Sequence, residues 1–139
     1  MEETAAYQAA LDYIYSFIDY SMTRALRYSP EKFDLGRMNA LLEFMGNPQR
    51  SYPVLHVAGT KGKGSVAALM ASSLRSAGYR TGLYTSPHLQ DYVERMQIDG
   101  QAVSANEFVD LVEAIKPVVQ EVEHLTTFEI TTALAFEYF

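Results

Sequence analysis

Apolar residues recur at helical spacing in five stretches of the chain. Tyr7, Ala10, Leu11, Ile14, Phe17 and Ile18 fall on one face of a first helix, and Leu35, Met38, Leu42 and Met45 on one face of a second. The second stops at Gly46-Asn47-Pro48, where the glycine and proline follow the last periodic residue. A third face runs Val66, Leu69, Met70, Ser73, Leu74, Ala77. A fourth runs Phe108, Leu111, Val112, Ile115, Val119, Val122, opened by Ser104 and Glu107 at capping-box spacing and expected to kink or break at Pro117. Thr126 and Glu129 repeat the capping-box spacing ahead of a last helix that begins near Thr127.

Two runs read as strands instead. Val54-Leu55-His56-Val57 is short, almost wholly apolar and rich in β-branched residues, which suits a buried strand of a parallel sheet. A second strand covers 80–84. With the third helix between them, the two make a βαβ unit whose crossover is right-handed. Residues 96–103 read as a small hairpin about Asp99-Gly100, a pair that favours a tight primed turn. The expected fold class is α/β, a parallel sheet preceded by N-terminal helices.

Between the first strand and its helix stands Ala58-Gly59-Thr60-Lys61-Gly62-Lys63-Gly64-Ser65, which has the order of a phosphate-binding loop. Gly59, Gly62 and Gly64 let the backbone turn its N–H groups toward an anion at the positive end of the helix. Lys63 supplies a point charge for the β- and γ-phosphates. The loop departs from the standard motif. Gly64 stands after the lysine where Ser or Thr would bind Mg²⁺, with Ser65 one place late. The hydroxyl for a metal therefore has to come from elsewhere. Thr85-Ser86-Pro87-His88-Leu89 follows the second strand, so Ser86 leaves the carboxyl end of a strand, where ligands of open α/β sheets sit.

Those segments together, with Glu94-Arg95, Thr127-Phe128-Glu129, and upstream Phe33 to Met38, Leu41-Leu42 and Gly46-Asn47-Pro48, resemble the start of a folylpolyglutamate synthase or dihydrofolate synthase. That family belongs to the Mur ligase superfamily of ATP-dependent amide-forming enzymes. The resemblance implies a P-loop NTPase-like Mur ligase central domain, with ATP phosphates on Gly59, Thr60, Lys61, Gly62, Lys63, Gly64 and Ser65, and Lys63 as the key cation. It implies Mg²⁺ on Ser86 and Glu129, which supplies the missing hydroxyl. It also implies substrate contacts from Pro87, His88 and Arg95, and from Leu35, Gly36 and Arg37. The substrates implied are L-glutamate and a folate or dihydropteroate carboxylate, joined through an acyl phosphate. A monomeric parent enzyme is expected.

Several of these residues have plainer readings. Glu129 completes a capping box with Thr126, a role that is compatible with facing a metal. His56 inside the apolar strand reads as a core histidine, and His124 as a solvated one. His88, after a proline in a loop, reads equally as a pocket-lining residue or an ordinary loop residue. Arg95 could simply pair with an acidic neighbour on the surface.

Composition narrows the setting. The 139 residues carry a net charge of −6, so no general nucleic-acid footprint is present, and Lys61 and Lys63 give the local positive charge that a nucleotide needs. Cysteine is absent, which excludes disulfides and thiolate chemistry. The Met-Glu-Glu-Thr start lacks a signal-peptide pattern, and no apolar run approaches the roughly 18 residues of a membrane span. A cytoplasmic setting without membrane contact is expected. The strand inventory is short for a sheet, and the last helix pattern runs uncapped to Phe139. The expectation is a truncated ligase: residues 1–50 an N-terminal helical segment, 51–139 an incomplete ATP-binding domain, the C-terminal ligase domain absent, and the chain alone inactive. The alternatives are another P-loop kinase or NTPase, or a non-catalytic nucleotide-binding fragment.

Overall fold

The computed structural model describes residues 5–17 and 35–139. Ile18 of the first expected face, and Phe33 and Asp34 of the family resemblance, lie outside the described residues. The helices form where the periodicity puts them. They are α1 (Ala5–Tyr15), α2 (Leu35–Phe44), α3 (Lys63–Ser76), α4 (Ala105–Val119) and α5 (Thr127–Tyr138). Short 3-10 turns cover Pro48–Arg50 and Tyr92–Arg95. The capping boxes at Ser104/Glu107 and Thr126/Glu129 are both formed. Pro117 sits in the last turn of α4, which ends two residues beyond it at Val119, so the ring costs little of the hydrogen-bond ladder.

The core is helical. α1 buries Tyr7, Ala10, Leu11 and Ile14, α2 buries Leu41 and Leu42, and α4 buries Phe108, Val112, Ile115 and Val119. These pack around α5, which buries Thr127, Ile130, Thr131, Ala133, Leu134 and Ala135. Residues from both sides of position 50 thus share one apolar cluster. At its centre the fully buried Phe108 ring lies 5.6 Å from Tyr7 and 5.4 Å from Tyr92, centroid to centroid. Tilted and edge-on aromatic pairs of this kind contribute about 0.5–1.5 kcal/mol beyond their buried area. Thr127 Oγ1 donates to the carbonyls of Ile14 (3.2 Å) and Phe17 (3.1 Å). It thereby ties the start of α5 to the backbone at and just beyond the end of α1.

The sheet is small and antiparallel: β1 (Gly82–Tyr84), β2 (Met96–Ile98) and β3 (Gln101–Ala102), in that spatial order. The hairpin turns at Asp99 (φ 52°) and Gly100 (φ 79°), both positive as a type I′ turn requires. Asp99 Oδ1 accepts the Thr81 N–H at 2.9 Å, and its carbonyl accepts from Arg75 Nη1 at 2.7 Å, tying the hairpin to the end of α3.

Two expectations are corrected here. The parallel pairing of a βαβ unit does not form among the described residues, because β1 pairs with β2 and runs antiparallel to it. Residues 54–57 make no ladder, and Val54, Leu55 and His56 are exposed, so His56 is not a core histidine. A buried parallel strand needs hydrogen-bonding neighbours and two covered faces, and no other described segment supplies them. α3 shares this condition: it packs against β1, yet none of its residues is fully buried, and Leu69 is 69% exposed.

The contrast between the helical core and α3 is measurable. Phe108→Ala is expected to cost about 3–5 kcal/mol, whereas Leu69→Ala stays within about 0.5 kcal/mol. Urea denaturation of both variants checks it, and comparable losses would mean that α3 packs far more tightly than described.

Candidate functional site

The glycine-rich turn delivers the chain to the start of α3. Gly62 is the N-cap, with φ 74° and ψ 2°, and Gly59 has φ 154°. A Cβ on Gly59 would meet Lys61 O at 3.8 Å and Lys63 Cγ at 3.9 Å, ordinary contact distances, so backbone conformation rather than crowding requires glycine there. No side chain caps α3 and no acidic residue occupies its first turn. Its opening N–H groups therefore face solvent at the positive end of the helix dipole. Lys63 is the first helical residue, and its Nζ donates to Gly59 O at 2.8 Å, closing the turn on itself. Thr60, Lys61, Gly64 and Ser65 are all exposed around it.

The loop after β1 is organised by one carboxylate. Glu94 accepts from the backbone N–H groups of Leu89 (2.9 Å), Gln90 (3.2 Å) and Asp91 (3.1 Å). These donors, Leu89 first, hold its carboxyl below the usual carboxylate range. Arg95 Nε donates to His88 Nδ1 at 3.0 Å, and its guanidinium lies 4.7 Å over the Tyr92 ring. This replaces the reading of Arg95 as a surface partner of an acid. A His88 that accepts at Nδ1 is neutral and carries its proton on Nε2. The loop is also lashed to the helices. Asp91 accepts from the Tyr7 hydroxyl, Tyr92 shares a hydrogen bond with Thr131, and Tyr84 with Thr132 at 3.1 Å. Burial pushes the Tyr92 hydroxyl up to about 12 and raises that of Tyr84, so both stay neutral. Ser86, joined to Pro87 by a cis peptide, lies with Pro87 and Leu89 on the exposed side of the loop.

Glu129 combines two roles at the first turn of α5. Its Oε2 accepts from Thr126 N and Thr126 Oγ1, both at 2.8 Å, while Oε1 accepts from Arg37 Nε at 3.2 Å. A carboxylate offers about four lone-pair sites; these bonds fill both on Oε2 and one on Oε1. One carboxylate position and a serine hydroxyl such as that of Ser86 are oxygen donors of the kind a hard cation takes alongside waters and phosphate oxygens, so the donor types fit magnesium. The described residues contain no group of three or more acidic, histidine or cysteine side chains able to hold a metal by themselves.

The structure thus brings together Arg37 with Glu129, His88 with Arg95, and Lys63 with Gly59. Among the described residues no hydrogen bond or ion pair joins Ser86 to Glu129 or to the glycine turn. Leu35 (74% exposed) and Gly36 are exposed at the start of α2. The residue that sequence reasoning passed over is Glu94, although Asp91 and Glu94 stand at capping-box spacing and form that box. Because the folded pKa of Glu94 lies below its ordinary 4.5, the stabilisation it gives is present above pH 4.5 and is lost as pH falls through the folded value. Glu94→Gln is expected to lower Tm at pH 7, with the gap to wild type closing once the pH drops well under 4.5. Melts recorded from pH 7 to pH 3 check this, and a gap independent of pH would mean that the charge of Glu94 does not hold the loop.

No family model matches the chain, but individual proteins do. The dihydrofolate synthase/folylpolyglutamate synthase of Bacillus subtilis is 37% identical over 139 residues, covering 96% of this chain and 30% of that protein. The structure of Mycobacterium tuberculosis folylpolyglutamate synthase complexed with ADP superposes with a TM-score of 0.80 at 37% identity, over 99% of this chain and 30% of that one. A folylpolyglutamate synthase complex with AMPPCP and folate gives a TM-score of 0.82 at 34% identity, over 96% of this chain and 32% of that one. By sequence and by fold, the chain belongs to the folylpolyglutamate synthase/dihydrofolate synthase family, and it spans about 30% of the length of the relatives it matches.

Proposed function

We propose that this chain carries the ATP-phosphate site of a ligase that joins L-glutamate to a folate or dihydropteroate carboxylate. The observation that carries the reading is the uncapped start of α3, where a glycine turn with positive φ at Gly59 and Gly62 presents Lys63 on the first helical position. Gly59 through Ser65 would offer N–H groups to the phosphates, and Lys63 Nζ would exchange the Gly59 carbonyl for a phosphate oxygen. That relatives of the same fold are complexed with ADP, and with AMPPCP and folate, supports ATP and folate as the ligands. In this reading residues 51–139 are part of an ATP-binding domain, and 1–50 are a helical segment ahead of it.

The reaction proposed has two steps. A substrate carboxylate oxygen attacks the γ-phosphorus of ATP, forming an acyl phosphate and releasing ADP. The glutamate amine then attacks the acyl carbon, phosphate leaves with the C–O bond pair, and the amine proton passes to solvent. The first step brings an anion toward a polyanion, so its barrier is largely electrostatic. Lys63 and the turn N–H groups, once ordered on the phosphates, would stabilise that charge as it develops. Magnesium, when bound, supplies further positive charge on the phosphate oxygens, and Ser86 and Glu129 are the residues that would hold it. Pro87, His88 and Arg95 would face the folate, with His88 Nε2–H as a donor whose direction the Arg95 bond fixes.

The test is a thermal melt of the chain with and without Mg-ATP, beside Lys63→Ala. A ligand at 100 times its Kd that binds only the folded state stabilises by about 2.7 kcal/mol. A Tm raised by Mg-ATP in wild type and not in Lys63→Ala is expected. A melt insensitive to ATP, or one raised equally in both, overturns the assignment of the turn.

A further inference from the structure

We propose that Arg37 is the resident counter-cation of Glu129, and that a divalent cation takes over the same carboxylate oxygen and releases the guanidinium. The inference rests on reading Glu129 as a cation ligand, as proposed above. Arg37 Nε reaches Glu129 Oε1 at 3.2 Å across 92 residues of sequence, and the two side chains are only 17% and 12% exposed. Thr126 saturates Oε2 through its N–H and its hydroxyl. The capacity left to the carboxylate therefore lies on Oε1, the oxygen that the guanidinium holds.

A divalent ion on that oxygen would sit within a few ångströms of a fixed positive charge. In a site so little exposed, solvent and salt screen the repulsion weakly. The carboxylate therefore serves the guanidinium or the metal, not both at full strength. The place of Arg37 in its own helix points the same way. It lies in the first turn of α2, where the helix dipole disfavours a cation. Glu129 offsets that cost. In return, a largely buried carboxylate keeps a counter-charge when no metal is bound, which avoids a costly uncompensated anion. Exchange would replace the single charge of the guanidinium at the start of α5 with a divalent one and release Arg37 toward the start of α2. Metal loading is thereby coupled to the α2 end of the molecule.

The experiment uses Mn²⁺ as the probe, titrated into the full chain and into Arg37→Gln and Glu129→Gln, with unbound Mn²⁺ read by electron paramagnetic resonance. Glutamine preserves the capping box at 129. Arg37→Gln is expected to bind Mn²⁺ about tenfold or more tightly than wild type, and Glu129→Gln to lose that binding. Should Arg37→Gln bind equally or more weakly while Glu129→Gln loses the metal, the exchange idea fails and Glu129 remains a ligand. Binding unchanged in Glu129→Gln, or absent from all three chains, overturns the ligand reading and this proposal with it. A measurement on the unmodified chain covers the case in which Arg37→Gln does not fold. The Arg37 Nε–H resonance is expected to shift with the same midpoint as Mg²⁺ binding, and a signal unmoved at saturation overturns the exchange.

Discussion

Because α5 is buried along most of its surface, every polar group it turns inward must find a partner, and those partners fix the geometry of the rest. Thr127 reaches the carbonyls of Ile14 in α1 and of Phe17 just beyond it, Thr131 meets the Tyr92 hydroxyl, and Thr132 meets Tyr84. A buried hydroxyl without a partner costs roughly 1–3 kcal/mol. Each of these bonds therefore acts as a positional constraint. Tyr84 ends β1 and Tyr92 opens the turn that follows the loop, so the two ends of the Ser86–Asp91 loop are both held by one helix. Phe108 then locks Tyr92 and Tyr7 into the same aromatic cluster.

The two candidate halves of the site sit on ground of different quality. Glu129 stands at the first turn of the best-packed helix, with three hydrogen bonds to its carboxylate. The glycine turn opens a helix with no fully buried residue, behind a segment whose apolar side chains face solvent. Tyr52 ties the approach to that segment to the core, through its hydroxyl to Phe136 O at 2.7 Å and its ring against Phe139. Local stability follows buried apolar contact. The phosphate turn is thus the part of this structure that a bound anion has most to order, and the carboxylate the part it has least.

What could be read from sequence was whatever is decided locally. The helices, their capping boxes and the Asp99-Gly100 turn depend on residues at most a few positions apart, and all of them form. The strand at 54–57 depends on a ladder partner, which composition alone does not provide; an apolar β-branched run says only that a buried strand would suit it. His56 was misread for the same reason. Lys63 was legible as a motif, while its bond to Gly59 O was not. The pairing of Arg37 with Glu129 spans 92 positions and leaves no local mark on either segment. Glu94 is a different case, since its capping-box spacing from Asp91 was visible and its consequence, three backbone N–H groups gathered on one carboxylate, was not drawn.

Glu129 shows why a capping residue and a ligand need not be rival assignments. The capping box uses one oxygen of the carboxylate and points the other away from the helix. It removes the rotational freedom that a flexible glutamate would otherwise lose on binding a cation, a cost of order 1 kcal/mol or more for a long side chain. A carboxylate fixed in direction, with its remaining bonding capacity on one oxygen, is what a hard cation requires of a protein ligand. The local structural role thus prepares the chemical one. The same reasoning explains why Arg37, at the unfavourable end of its own helix, is held where it is.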